Sequence, residues 1–289
     1  MLSSWELCGI KMMSISNQDN LLFSIVCVYS NVDIFEKYLL SSLKLQTAQY
    51  EPIFLDNCVG HFKSAAAALN YGGQKANSKY IMFVHQDVDF ESATWLEDAG
   101  KMLDDLSDLG AAGVAGISIH GHDLKERGRN IILHGPERTP WEFGNPINSP
   151  EVVQTLDCCV LLVPQKVFEK IQFDEKTCDS WHLYGEDYCL QVGLTGLKAY
   201  VLPLSIYHAS RGVRKTSRLE IALSLGALPR EYYMTLKKLL AKYQGKYRYV
   251  YTSNGEWNTT QPVMWQRITM LLKGGFSLMQ YHLKGKIKR

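Results

Sequence analysis

The chain has 289 residues, 46% of them hydrophobic and 21% charged, which excludes a disordered or fibrous protein and allows one large core or a core with an appendage. Its net charge of +2 hides an asymmetry: from Ser217 to Arg289, 13 Lys/Arg face 3 Asp/Glu, so that stretch carries +10 and the remainder −8. A basic region favours an anionic partner such as a lipid headgroup or the protein's own acidic body, and a solvated basic helical face accounts for it better than nucleic acid does.

Seven cysteines, an odd count without a C-x-x-C pair, argue against a zinc ribbon or a disulfide framework and for a reducing compartment. The N-terminus lacks the basic start, apolar core and cleavage site of a signal peptide, and no run approaches the roughly 20 apolar residues of a membrane span. The expected location is therefore cytoplasmic, or peripheral to the membrane through the basic C-terminal region. There is no internal repeat.

In chain order, Met1–Asn20 is mixed and peripheral. Leu22–Tyr29 is β-branched and apolar, a first strand, and Ser30-Asn31-Val32-Asp33 supplies turn and cap chemistry for a helix over Ile34–Leu45. Pro52–Asn57 predicts a second strand and Ser64–Ala76 a helix with Asn70 near its middle. Tyr80–Val84 is a buried strand that delivers His85, Gln86 and Asp87 to its carboxyl end, where ligands bind in open α/β sheets. Trp95–Leu106 reads as a helix and Gly113–Ile119 as a strand. His120–Pro150 accumulates Gly, Pro, His and charge, the composition of a long irregular insertion. Val152–Val163 re-enters the sheet, Val167–Ile171 is a short helix, and Gly185-Glu186-Asp187 opens a longer one. Ala199–Leu204 is a strand, and Ile206-Tyr207-His208 closes the unit. Beyond Arg211 the pattern is helical and basic, with strand-like Tyr247–Thr252 as the exception. The alternation predicts an α/β fold, a mostly parallel central sheet flanked by helices, with a mainly helical C-terminal extension. The divisions are 1–21, 22–210 with its 120–150 insertion, and 211–289.

Several separated features occur in a recognisable order. They are the first strand ending in Val28-Tyr29, the second ending at Asp56, Asn70 before the third strand, and Phe83-Val84-His85-Gln86-Asp87. Asp157-Cys158-Cys159-Val160, Gly185-Glu186-Asp187 and the lone His208 after the last strand follow. Over Phe23 to Ser210 the chain resembles the inverting family 2 glycosyltransferases with the GT-A fold, and its His-Gln-Asp-Val form resembles a divergent branch of them. His85 stands where that family usually carries the first Asp of Asp-x-Asp.

The resemblance implies a glycosyltransferase of glycan biosynthesis that moves a sugar from a nucleotide-diphosphate donor to a glycan, lipid-linked or other hydroxyl acceptor. It implies Mn2+ or Mg2+ on the diphosphate, held by Asp87 and His208, and a nucleotide-sugar site formed by Tyr29, Asp56, Asn70, His85 and Gln86. It makes Asp187 the general base, with Glu186 as orienter or acceptor ligand. Each residue also has a plainer account: Asp56 in an Asx turn, Asn70 tying the third strand's end, Tyr29 and His208 in the core, Glu186 and Asp187 complementing a helix dipole. His182 and the insertion's His120, His122 and His134 read as surface or acceptor loop. The alternatives are a sugar nucleotidyltransferase, against which the first loop lacks a Gly-rich phosphate cradle, and a non-catalytic sugar-nucleotide or glycan-binding module.

Overall fold

A computed structural model describes residues 21–140, 144–210, 228–270 and 272. The peripheral segment before residue 21, the start of the C-terminal extension over 211–227, Leu271 and the tail from 273 lie outside the described residues.

The apolar, β-branched runs become a seven-stranded sheet. In spatial order its strands are Glu151–Val153, Lys198–Val201, Leu109–Gly113, Val160–Pro164, Tyr80–Val84, Phe23–Tyr29 and Tyr50–Asp56. Phe23–Tyr29 runs parallel to both of its neighbours, and Lys198–Val201 runs parallel to Leu109–Gly113. Val160–Pro164 is antiparallel to the strands on either side of it, and Glu151–Val153 is antiparallel to Lys198–Val201. Five strands thus share a direction and two are reversed, which makes the sheet mixed but mostly parallel. Tyr80–Val84 sits inside it with all five residues buried, as expected of a strand covered on both faces.

Helices cover both faces. Asn31 accepts from the Ile34 N–H and opens a helix over Val32–Phe35 that continues as a π-helical stretch, Glu36–Leu40, into Ser41–Leu43. Ser64 caps Ala65–Gly73 in the same way. Trp95–Asp104, Tyr184–Leu194 and the short Gln165–Phe168, which starts upstream of the expected Val167–Ile171, also pack on the sheet, and an apolar core lies on each side.

Two expected strands move. The sheet strand lies at Leu109–Gly113, upstream of the expected Gly113–Ile119, and only Gly116–Ile117 forms a second, short strand. Leu-Gly-Ala-Ala-Gly has almost no side chain to advertise a strand; it is chosen because small residues fit the fully buried position. Val152–Val163 is also not one strand: Glu151–Val153, Thr155–Leu156 and Val160–Pro164 are separate strands with no neighbour in common. The 120–150 insertion is more ordered than its composition implies. It supplies a helical turn, Leu124–Arg127, and the short strands Gly128–Arg129, Leu133–His134 and Thr139–Pro140.

In the C-terminal extension, Arg230–Tyr243 is a helix, and Tyr249–Thr252 pairs with Gly255–Asn258 as a hairpin. Tyr232, Leu236, Leu239, Tyr243, Val250 and Trp257 form a third core together with Leu183 and Leu190 at the Tyr184–Leu194 helix. The C-terminal extension therefore packs directly on the helix that opens with Gly185-Glu186-Asp187.

Candidate active site

The Tyr80–Val84 strand ends at His85, and a small four-stranded sheet completes the site. Its order is Val88–Phe90, Ile206–His208, Leu133–His134 and Thr139–Pro140. The antiparallel register sets His208 opposite Val88, and the Ala209 N–H donates to the Asp87 carbonyl, so residues more than a hundred positions apart meet. His208 Nε2 lies 3.3 Å from Asp87 Oδ1 and 3.4 Å from His85 Nδ1. One ligand atom from each of His85, Asp87 and His208 falls within 4.8 Å of the others. His134, paired with His208 across the sheet, adds a ring 5.2 Å away.

The tautomer of His85 is tied to its neighbour. Its Nε2 is 2.7 Å from the Tyr184 hydroxyl; with the ring proton there, the Nδ1 lone pair faces Asp87 and His208. Burial, helped by the nearby His208, lowers the His85 pKa and keeps that imidazole neutral. Burial would raise Asp87, but the His208 hydrogen bond and charge outweigh it and hold the carboxylate ionised. A neutral imidazole, a carboxylate and a second imidazole form a donor set that fits a borderline divalent cation such as Mn2+ better than all-oxygen Mg2+. His85, expected at the nucleotide, thus lies with Asp87 and His208 in a group able to hold a cation.

Gln86 braces the rim. Its Oε1 accepts the N–H groups of Ser30 and Asn31, both at 3.0 Å, and its Nε2 donates to Ser30 Oγ. These bonds fasten the loop after the first strand to the loop after the third. The parallel register places Tyr29 beside Asp56 on the same rim. Asp56 accepts from the Cys58 N–H at 2.8 Å, the Asx turn foreseen as its plainer account, and that bond lowers its pKa. It is nevertheless exposed and ionised at the rim. Tyr29 is largely core: its ring stacks on Phe35 at 4.6 Å, leaving the hydroxyl to assist Asp56.

Asn70 is not at this rim. Its amide donates to the Phe173 carbonyl and to Glu175, and its oxygen accepts the Phe173 N–H, so it brackets the chain leading into the Tyr184–Leu194 helix. The nucleotide role expected of it is corrected to a structural one, because its polar atoms are already committed.

The structure separates the two acids of Gly-Glu-Asp. Leu183, at the helix N-cap, takes a left-handed φ of 62°, a strained conformation for a branched residue. Gly185 then lets the helix close on Cys158: a Cβ there would sit 2.6 Å from its sulfur. Glu186 faces this side, accepting from Cys158 Sγ at 3.4 Å. Burial, reinforced by Asp157 nearby, pushes its carboxyl up to about 7. Asp187 turns to the C-terminal extension instead. Its oxygens accept from Lys242 Nζ at 2.7 and 2.9 Å, from the Tyr243 hydroxyl and from Gln191, and none of its surface reaches solvent. A carboxylate so fully occupied has little left to offer an acceptor hydroxyl, which weighs against Asp187 as the base expected from the sequence.

Asp157 is the site residue that sequence reasoning quoted without assigning. Held in a turn by the Cys159 N–H, its charge acts on His85, His134, His208 and Glu186 together. A carboxylate just before an apolar strand at the shared rim was the available signal. Tyr184 and Lys242 had none, since their partners are distant in sequence.

The profile of the family described as "Glycosyltransferase like family" matches residues 24–210. The curated protein "ATP synthase subunits region ORF 6" of Fuscovulum blasticum is 27% identical over 158 residues, covering 48% of this chain and 55% of its own length. Among solved structures, a mannosyltransferase of Pyrobaculum calidifontis in complex with GDP-Man and Mn2+ superposes with a TM-score of 0.51 at 12% identity. It covers 79% of this chain and 65% of its own. GalNAc-T7 with UDP, GalNAc and Mn2+ gives 0.50 at 11% identity, covering 78% of this chain and 52% of its own. This chain thus spans less than two thirds of the length of each.

Proposed function

The chain belongs to the glycosyltransferase-like family and has the GT-A fold, and on that premise we propose that it transfers a sugar, with inversion, from a nucleoside diphosphate donor to an acceptor hydroxyl. The observation that carries this reading is the convergence of His85, Asp87 and His208 at the strand ends, with the charge of Asp157 acting both on that group and on a buried Glu186 whose carboxyl is pushed up to about 7. The mannosyltransferase and GalNAc-T7 structures that share the fold were solved with nucleotide ligands and Mn2+.

His85, Asp87 and His208 would hold the divalent ion, which when bound supplies positive charge to offset the departing diphosphate. The ionised Asp56 accepts from the base, with Tyr29 beneath it. Gln86 keeps the first and third loops at a fixed spacing, so that base and diphosphate subsites stay in register. Inversion requires a base on the face opposite the leaving group. Glu186 takes the acceptor's proton: its raised pKa puts an ionised and basic carboxylate at hand near neutral pH. Asp187 acts at one remove, anchoring the helix N-terminus that carries Glu186.

Calorimetry of nucleoside diphosphates with and without Mn2+ tests the reading. Mn2+ should tighten diphosphate binding to the parent, and Asp87→Ala should abolish that dependence. His85→Ala and His208→Ala should each weaken it less, since one donor of three is lost. A parent that binds no nucleoside diphosphate in the presence of Mn2+ would sink the proposal.

A further inference from the structure

Residues 263–270 and 272 form a helix near the end of the described chain. Its inner side is docked: Gln266 is buried and accepts the Asn258 N–H at 2.7 Å, while Val263 and Met270 pack on the third core. Met264, Trp265, Ile268 and Leu272 recur at i, i+1, i+4 and i+8, which share one face of an α-helix. That face is the opposite one and is exposed: Met264 by 71%, Trp265 by 66% and Leu272 by 64%. Four large apolar side chains on one outward stripe are more than the scattered surface hydrophobics of an ordinary soluble face.

The charge that follows the stripe in sequence selects its partner. The next seventeen residues contain Lys273, Lys284, Lys286, Lys288 and Arg289 and no Asp or Glu. An apolar stripe with a tryptophan, continuous in sequence with an unopposed basic segment, combines the two attractions that hold a protein on an anionic bilayer surface. Neither suffices alone: the stripe is short, and a basic segment without it binds only through screened charge. No described helix is long and apolar enough to cross a membrane, so the contact is one of lying on the surface. We propose that this helix and the basic segment after it dock the protein on an anionic lipid surface, Met264, Trp265, Ile268 and Leu272 entering the headgroup region. The inference does not depend on the glycosyl-transfer reading.

The test is co-sedimentation of the full chain with phosphatidylcholine vesicles and with vesicles containing phosphatidylglycerol, at low and high salt. The parent should bind the anionic vesicles at low salt and be released from them at high salt, with little binding to neutral ones. Met264→Glu/Ile268→Glu should weaken partitioning by about tenfold or more, the loss of both apolar anchors. These side chains point outward, so the melting temperature and nucleoside diphosphate binding should match the parent, which separates loss of docking from loss of folding or of the donor site. Absence of parent binding to anionic vesicles at low salt overturns the proposal. So does undiminished binding by the double variant. A parent dimer that the double variant dissolves would likewise overturn it, assigning the stripe to a second copy.

Discussion

Glu186 and Asp187 are adjacent in sequence yet live in different chemistry, because consecutive helical residues point about 100° apart. One carboxyl faces Cys158 and Asp157; the other is saturated by Lys242 and Tyr243. Glu186→Gln should lower turnover by roughly 10²–10⁴-fold while donor affinity stays within a few-fold. Parent turnover should rise with pH through about 7 as Glu186 ionises. The same group gives a stability signature. Its pKa goes from 4.5 to about 7 on folding, so in that window the folded state holds the extra proton and this contribution is lost as pH rises. Denaturation across that pH range should show the decline in the parent and its removal in Glu186→Gln; parent-like turnover in the variant would transfer the base role elsewhere. Asn70→Ala makes the opposite contrast. It leaves the buried Phe173 N–H unpaired and should cost about 1–3 kcal/mol. Donor binding should be unchanged, and weakened donor binding at unchanged stability would return Asn70 to the nucleotide.

The Arg230–Tyr243 helix is fastened to the Tyr184–Leu194 helix by more than apolar contact. Lys242 bridges Asp187 at 2.7 Å and Asp174 at 2.8 Å, and the Tyr243 hydroxyl donates to the Asp187 carbonyl. The pair lies across the junction between family-matched chain and C-terminal extension. Lys242→Met strands a carboxylate without solvent, and removing one partner of a buried pair costs roughly 3–5 kcal/mol. Thermal melts should show a large drop for Lys242→Met and for Asp187→Asn. The double variant should fall well short of their sum, since the two share one interaction. Additive losses would show that the helices are held by packing alone. This is also why Asp187 reads as catalytic from sequence: its partner lies 55 residues downstream, in a helix whose lysines look like an ordinary solvated face.

At the scale of the whole molecule, the third core makes the C-terminal region part of the same folding unit as the helix bearing Glu186. Ending the chain after Ser210 would bare Leu183 and Leu190, which are 3% and 1% exposed in the intact protein. The truncated protein should aggregate or melt without a cooperative transition. A soluble 1–210 fragment with a sharp melt would show the extension to be separable. The helix of residues 263–270 hangs from this core by Val263, Gln266 and Met270, and so its outward stripe keeps a fixed orientation to the site.

The sequence by itself determined the α/β class and the Tyr80–Val84 strand to the residue, and it singled out Asp87 and His208, which the fold brings to 3.3 Å of each other. Those rest on short-range signals: an apolar run of strand length, an abrupt change to polar groups, and a motif order spread along the chain. Tertiary structure alone decided that His85 stands against Asp87 and His208, that Asn70 brackets the chain at Phe173, that the charge of Asp157 acts on the histidines, and that Glu186 and Asp187 meet different neighbours. Each of those follows from strand register or helix azimuth against a distant partner. Composition and spacing carry no information about which face of a helix meets the cleft when both of its neighbouring acids are buried.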